Sequence, residues 1–238
     1  MKVFLDTVGC RLNQSEIETF ARHFRAAGHI LVAEPGEADL VVVNTCAVTT
    51  AAASDSRQKI RQAAHAGAGE IVVTGCWSTL NPGGAAALPG VSQVVPNQQK
   101  DQLVGTLLHI PPETFDQEMI IREPIPGARL RTRAFIKVQD GCDNRCTFCV
   151  TTVARGASLS RPMVDVLADV RAAVAGGAQE VVLTGVHLGS WGQDLSPELR
   201  LASLVKSILE ETDVPRVRLS SLEPSAVHFP RKRRWREN

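Results

Sequence analysis

Three of the six cysteines fall within eight residues, at Cys142, Cys146 and Cys149 in "FIKVQDGCDNRCTFCV". Thiolates in short loops bind zinc or iron–sulfur clusters, and this C-x3-C-x2-C run has no fourth Cys or His nearby. Three thiolates on a four-iron cluster leave one iron open to a non-protein ligand. S-adenosylmethionine can fill that position through its amino and carboxylate groups, and the reduced cluster can pass an electron to the sulfonium. A zinc knuckle with a distant fourth ligand is the alternative. Phe148, just before the last cysteine, is placed either as an aromatic wall beside the cluster or in the core.

The other three cysteines share a different regularity. Cys10 ends "DTVGC", Cys46 ends "VVVNTC" and Cys76 ends "IVVTGC", so each leaves an apolar segment at its carboxyl end. If those segments are neighbouring parallel strands, about 4.8 Å apart, the thiols can converge on one object. The favoured object is a second cluster with three protein ligands; three unrelated core cysteines are the alternative.

The elements around these residues read as α/β. "KVFLDT", "DLVVVN", "EIVVTG" and "VSQVV" are strands, with helices predicted in "SEIETFARHFRAAG", "SDSRQKIRQAAHAG" and "NQQKDQLVGTLLH". Continuous Val, Ile and Leu strands alternating with helices imply a parallel sheet covered on both faces. Residues 1–107 are thus expected to form an open parallel-sheet domain. Residues 108–132, with four prolines and little periodicity, are expected as a linker.

Alternation resumes with "RAFIKVQ", "EVVLTG" and "RVRLSS" as strands and "LRLASLVKSILEET" as a helix. "SRPMVDVLADVRAAVAGG" is a helix that Ser160 is placed to cap, with Met163, Val166, Leu167, Val170 and Val174 inward. Residues 133–224 then make a partial (β/α) barrel, whose sites lie at the carboxyl ends of the strands. Residues 225–238 are an irregular tail in which Arg231, Lys232, Arg233, Arg234 and Arg236 either meet RNA phosphates or form a solvated end.

Composition sets outer bounds. A net charge of +1 argues against indiscriminate nucleic-acid binding, and no run approaches a membrane span. Asp6 interrupts the first apolar run, so it reads as a strand and not as a signal peptide. A cytoplasmic location is expected, where clustered cysteines stay reduced and disulfides are disfavoured.

In "GCRLNQSE", "VVNTCAVT", "SRQKIRQ", "VVTGC", "KVQDGCDNRCTFC", "ARG", "SRP", "VVLTGVHLGSWGQDL" and "SSLEP" the chain resembles the radical S-adenosylmethionine methylthiotransferases. "GCRLNQ" and "TGVHLGSWGQDL" favour the branch that modifies N6-threonylcarbamoyladenosine beside the tRNA anticodon. Relatives acting on isopentenyladenosine or on a ribosomal-protein aspartate are the other readings within the family. A non-catalytic cluster- or zinc-binding fragment is the reading outside it.

The resemblance implies two 4Fe–4S clusters, one on Cys142, Cys146 and Cys149 that cleaves S-adenosylmethionine, the other on Cys10, Cys46 and Cys76 that presents the sulfur. It implies a tRNA anticodon stem-loop as partner and leaves the sulfur donor open. Because "LTGVHLG" leaves the second barrel strand, Thr184, Gly185 and His187 are placed to approach the methionine end of S-adenosylmethionine, His187 otherwise being a loop histidine satisfied locally; Glu223 and Ser221, at the exit of the third strand, either contact the cofactor or make local loop contacts. Arg155 is expected to face a carboxylate or phosphate, or solvent, and Asn13 and Asn44 to order the cysteine loops or to serve as ordinary turn residues. The family carries further barrel strands and a TRAM domain beyond "SSLEP", where this sequence reads "SAVHFPRKRRWREN". A shortened chain with an open strand edge is therefore expected.

Overall fold

The computed structural model describes residues 1–115, 121–127, 132–144, 146–220 and 222. Strands β1 (Lys2–Thr7), β2 (Ile30–Leu31), β3 (Leu40–Thr45), β4 (Glu70–Gly75) and β5 (Val91–Val95) form a parallel sheet in the order β2-β1-β3-β4-β5. Strand β3 is buried at every position, because helices cover both faces of the sheet. On one face Val3, Leu5 and Val42 pack with Ile17, Phe20 and Phe24 of helix α1 (Arg11–Ala26). On the other, Val41, Val43, Ile71 and Val73 pack with Ile60 of α2 (Thr50–His65) and Trp77 of α3 (Cys76–Leu80). Two shorter helices follow, α4 (Pro82–Ala86) and α5 (Leu103–Leu108).

The four predicted strands are present. Strand β2, two residues long, is too short to leave a pattern and exists through its pairing with β1. Both long helices begin earlier than their apolar periodicity suggested: α1 starts directly after Cys10, and α2 starts after Thr49, whose hydroxyl accepts from the Ala52 N–H. Residues 97–102, predicted as helix, wind as a 3-10 turn before α5.

The second half contains β6 (Arg133–Lys137), β7 (Gln139–Asp140), α6 (Val150–Arg155), β8 (Leu159–Ser160), α7 (Met163–Ala175), β9 (Glu180–Thr184), α8 (Leu201–Glu211) and β10 (Val217–Leu219). Strands β6, β9 and β10 form a parallel sheet in the order β10-β9-β6, while β7 and β8 pair antiparallel. Ile136, Leu183, Val170, Leu204, Ile208 and the fully buried Trp191 make its core. The expected α/β class therefore holds.

Ser160 does not cap α7. The residue before that helix is Pro162, which has no side-chain cap, and the Ser160 hydroxyl instead accepts from the Gly192 N–H at 2.9 Å. The reason is the short β7–β8 ladder, which draws Ser160 into a strand.

Helix α1 joins the halves. Asp169 of α7 receives Arg22 of α1 at 2.6 Å and Arg161 at 2.5 Å. Residues of the expected linker lie along the same helix: Arg122 pairs with Glu18 at 2.8 Å, and Arg25 donates to the Pro124 carbonyl at 2.6 Å.

Candidate active site

Strands β1, β3 and β4 are adjacent and in register, with Thr7 opposite Asn44 and Thr45 opposite Gly75. Cys46 and Cys76 immediately follow β3 and β4, and Cys10 follows β1 by three residues. All three line one cavity of about 430 Å³. Glycine is required where the first loop passes the second: Gly9 has φ +114°, and a Cβ there would lie 2.6 Å from the Cys46 Cβ and 2.7 Å from its Sγ. Gly75, at φ +99°, would meet the Thr45 carbonyl oxygen at 2.2 Å.

Two asparagines organise these loops. The buried Asn13 amide donates to the Val8 carbonyl at 2.9 Å and the Thr45 carbonyl at 3.0 Å, and its Oδ1 lies 3.5 Å from the Cys10 Sγ. Asn44 donates to the Asn13 carbonyl at 3.2 Å and to Glu16 at 2.9 Å. A third, Asn97, which the sequence reading did not single out, points its Nδ2 at the Cys76 Sγ from 3.7 Å. Burial pushes the Cys46 thiol up, and thiolates at Cys10 and Cys76 would push it the same way.

Among the described residues no three His, Cys, Asp or Glu side chains converge closely enough to hold a single metal ion. A four-iron cluster asks for something wider, since each cysteine binds a separate iron. Three thiols on one cavity wall, with amide groups beside two of them, fit that donor set.

In the second triplet Cys142 is buried, Cys149 half-buried and Cys146 exposed. The backbone N–H of Asn144 lies 3.4 Å from the Cys142 Sγ, and the Thr152 hydroxyl 3.7 Å from the Cys149 Sγ. Cys149 stands at the N-terminus of α6, where the Thr152 N–H and hydroxyl hold its thiol below the ordinary range. Donors aimed at sulfur suit iron-bound thiolates, which carry negative charge. This triplet is not part of the cavity wall, but Thr151 and Arg155 of the same short helix are. Phe148 is 91% exposed, which rules out the core-packing alternative for it.

From the other sheet, Thr184 at the end of β9, Gly185, and Ser220 after β10 complete the wall. Thr184 donates its hydroxyl to the Ile136 carbonyl at 3.1 Å. His187 is half-buried and lies outside the wall; its backbone N–H reaches the Gln139 Oε1 at 2.9 Å. Glu223, Ser221 and the basic tail lie outside the described residues.

Two residues emerge as organisers: Gln139, which the sequence carried only as part of a motif, and Arg155, for which a carboxylate, a phosphate or solvent was expected. Gln139, fully buried, accepts from the Val186 and His187 N–H groups at 2.9 Å each and donates to the Gly141 carbonyl at 2.7 Å. It thereby ties the "GVH" loop to the loop that leads into Cys142. Arg155 is buried, which rules out the solvated alternative: it contacts Glu16 at 3.0 Å, Asp140 at 2.8 Å and Asn13 at 2.8 Å. The Lys100 Nζ stands 2.8 Å from the Glu16 carboxylate as an ion pair without hydrogen-bond geometry. Burial alone would raise the Glu16 carboxyl, but Arg155, Lys100 and Lys137 together hold it well below the usual carboxylate range.

Residues 2–95 match the family described as "Uncharacterized protein family UPF0004". The threonylcarbamoyladenosine tRNA methylthiotransferase MtaB of Bacillus subtilis is 35% identical over 94% of this chain and 52% of its own length. The MtaB of Thermotoga maritima is 34% identical over 95% and 53%. A tRNA-2-methylthio-N(6)-dimethylallyladenosine synthase of Sphingopyxis alaskensis is 31% identical over 91% and 52%. The chain thus spans about half the length of the curated relatives it matches. Among solved structures, the radical S-adenosylmethionine methyltransferase TsrM of Kitasatospora setae shares the fold with a TM-score of 0.62 at 14% identity, over 90% of this chain and 52% of that one. No helix among the described residues is long and apolar enough to cross a membrane.

Proposed function

We propose that this chain, which resembles the MtaB-type methylthiotransferases across nearly all of its own length, carries both cluster sites of a radical enzyme. Its reaction is insertion of sulfur and transfer of a methyl group at C2 of N6-threonylcarbamoyladenosine next to the tRNA anticodon. The observation that supports this most directly is the shared cavity. The strand-exit cysteines of the first sheet face Thr184, Gly185 and Ser220 from the carboxyl edge of the second.

When bound, a four-iron cluster with one open iron supplies an electron to S-adenosylmethionine at one site and an exchangeable sulfur at the other. The chain's own residues do the rest. Cys142, Cys146 and Cys149 would hold the first cluster, and the Asn144 N–H and Thr152 hydroxyl are placed to stabilise charge on the Cys142 and Cys149 sulfurs. Cys10, Cys46 and Cys76 hold the second. Gly9 lets the Cys10 loop approach Cys46, and Asn13 locks the two loops together. Gln139 ties the Val186–His187 backbone, directly after Gly185, to the first cluster's loop. Arg155, at the end of the helix that begins beside Cys149, spans from Asp140 to Asn13 and so sets one cysteine loop against the other.

Anaerobic reconstitution with iron and sulfide tests the assignment. About eight irons per chain are expected, as two four-iron clusters require, with an electron paramagnetic resonance signal altered by S-adenosylmethionine. Replacing Cys10, Cys46 and Cys76 by alanine should leave about four irons and the altered signal. Tightly held zinc, or a signal indifferent to S-adenosylmethionine, would refute the radical mechanism.

A further inference from the structure

Among the described residues the cavity wall contains two arginines, Arg11 and Arg155, and no aspartate or glutamate. Their situations differ. Arg155 is a buried cation already matched by two carboxylates, Glu16 at 3.0 Å and Asp140 at 2.8 Å, with Asn13 filling a further donor position. Arg11 is exposed, and its side chain makes no hydrogen bond or ion pair among the described residues. It directly follows Cys10 and opens α1, so a helix N-terminus, which itself favours anions, adds no compensation for its charge. Beside the strand-exit thiols the cavity therefore carries one positive charge that no carboxylate of the described residues matches, flanked by the apolar Leu12 and Val48.

A purine with an anionic substituent suits that wall. In N6-threonylcarbamoyladenosine the threonyl arm ends in a carboxylate that is ionised at neutral pH. C2 and C6 flank N1 on one edge of the purine, so a substituent on N6 stays close to the carbon at C2. If C2 faces the cysteine triad, the carboxylate is held in the same cavity, whose volume of about 430 Å³ is that of a small-molecule site. An arginine fork matches a carboxylate in two-point geometry.

We propose that Arg11 is a specificity-determining residue that pairs with the threonyl carboxylate of the substrate nucleoside. The proposal rests on the functional reading above and adds to it the group that tells this substrate from adenosines with neutral N6 substituents.

The test compares N6-threonylcarbamoyladenosine with its methyl ester as free nucleosides, binding to the reconstituted full chain by anaerobic calorimetry. The acid should bind roughly 10- to 100-fold more tightly than the ester, the range of a charge-assisted contact. Arg11→Gln should bring the two together, and Arg11→Lys should restore part of the difference. Iron and sulfide content should be the same in all three proteins. Removing a cation from the first turn of α1 does not oppose the helix dipole, so the variants are expected to fold.

Equal binding of acid and ester by the wild type, or an undiminished preference in Arg11→Gln, overturns the role of Arg11 while leaving the proposed function standing. Binding of neither nucleoside overturns the proposed function for this chain, and the role of Arg11 with it. If Arg11→Gln changes iron content or shifts the cluster signal without changing the preference, its charge serves the cluster and the proposal is wrong.

Discussion

Glu16→Gln is the sharpest test of the buried charge cluster at which the two halves meet. The Glu16 carboxylate is 1% exposed, accepts from Arg155 at 3.0 Å and forms an ion pair with the fully buried Lys100 at 2.8 Å. Removing its charge leaves Arg155 with Asp140, but strips Lys100 of the carboxylate it contacts. Breaking a buried pair from one side costs about 3–5 kcal/mol, because the other charge is left without compensation. Burial already pushes the Lys100 ammonium below its ordinary range, and Glu16 opposes that push. Without Glu16, Lys100 can shed its proton, which places the cost near the lower end, about 3 kcal/mol. At roughly 2–4 °C per kcal/mol for a chain of this size, the melting temperature should fall by about 6–12 °C. The assay is thermal and urea denaturation of the metal-free chain, followed by circular dichroism. The double variant Glu16→Gln/Lys100→Met removes the stranded cation and should regain part of the loss. A single variant melting within about 1 °C of wild type, or a double variant whose loss is the plain sum of the two singles, would refute this account of the charge cluster.

Two further perturbations probe other parts of the molecule. His23, stacked on Phe115 with ring centroids 4.4 Å apart, is pushed down to about 4, first by burial and then by Arg22. Its unfolded value is about 6.5, so the unfolded chain binds the proton first; stability is full above that pH and falls as pH drops toward 4. The loss is at most about 3.5 kcal/mol at roughly 1.4 kcal/mol per unit, and urea midpoints for His23→Gln should stay flat over that window relative to wild type. In Gly9→Ala the added methyl would sit 2.6 Å from the Cys46 Cβ at a φ of +114°, so iron after reconstitution should drop from about eight to about four per chain with the S-adenosylmethionine-sensitive signal retained. A full complement of iron in that variant would show that the Gly9–Cys46 approach is not needed for the second site.

Local pattern was enough to establish the alternation of strands and helices. Runs such as "VVVNT" and "EIVVTG" leave no option but a strand covered on both faces. The same runs showed that Cys10, Cys46 and Cys76 leave strands at the same end, since that depends only on where each cysteine stands relative to its own strand. Shorter features were not legible. Strand β2 and the β7–β8 pair exist because a partner strand is present, and the latter withdrew Ser160 from its predicted cap.

Convergence was decided by tertiary structure alone. That the thiols of the first sheet share a cavity with Thr184 and Gly185 depends on how α1 docks on the second half, through pairs such as Arg22–Asp169 and Arg155–Glu16. The members of those pairs stand 147 and 139 residues apart. A charged residue's environment is set by such distant partners and by the burial they create. Arg155 in "ARG" and Arg11 in "GCRLNQ" look alike as letters, yet folding buries one between two carboxylates and leaves the other at the cavity with no carboxylate partner among the described residues.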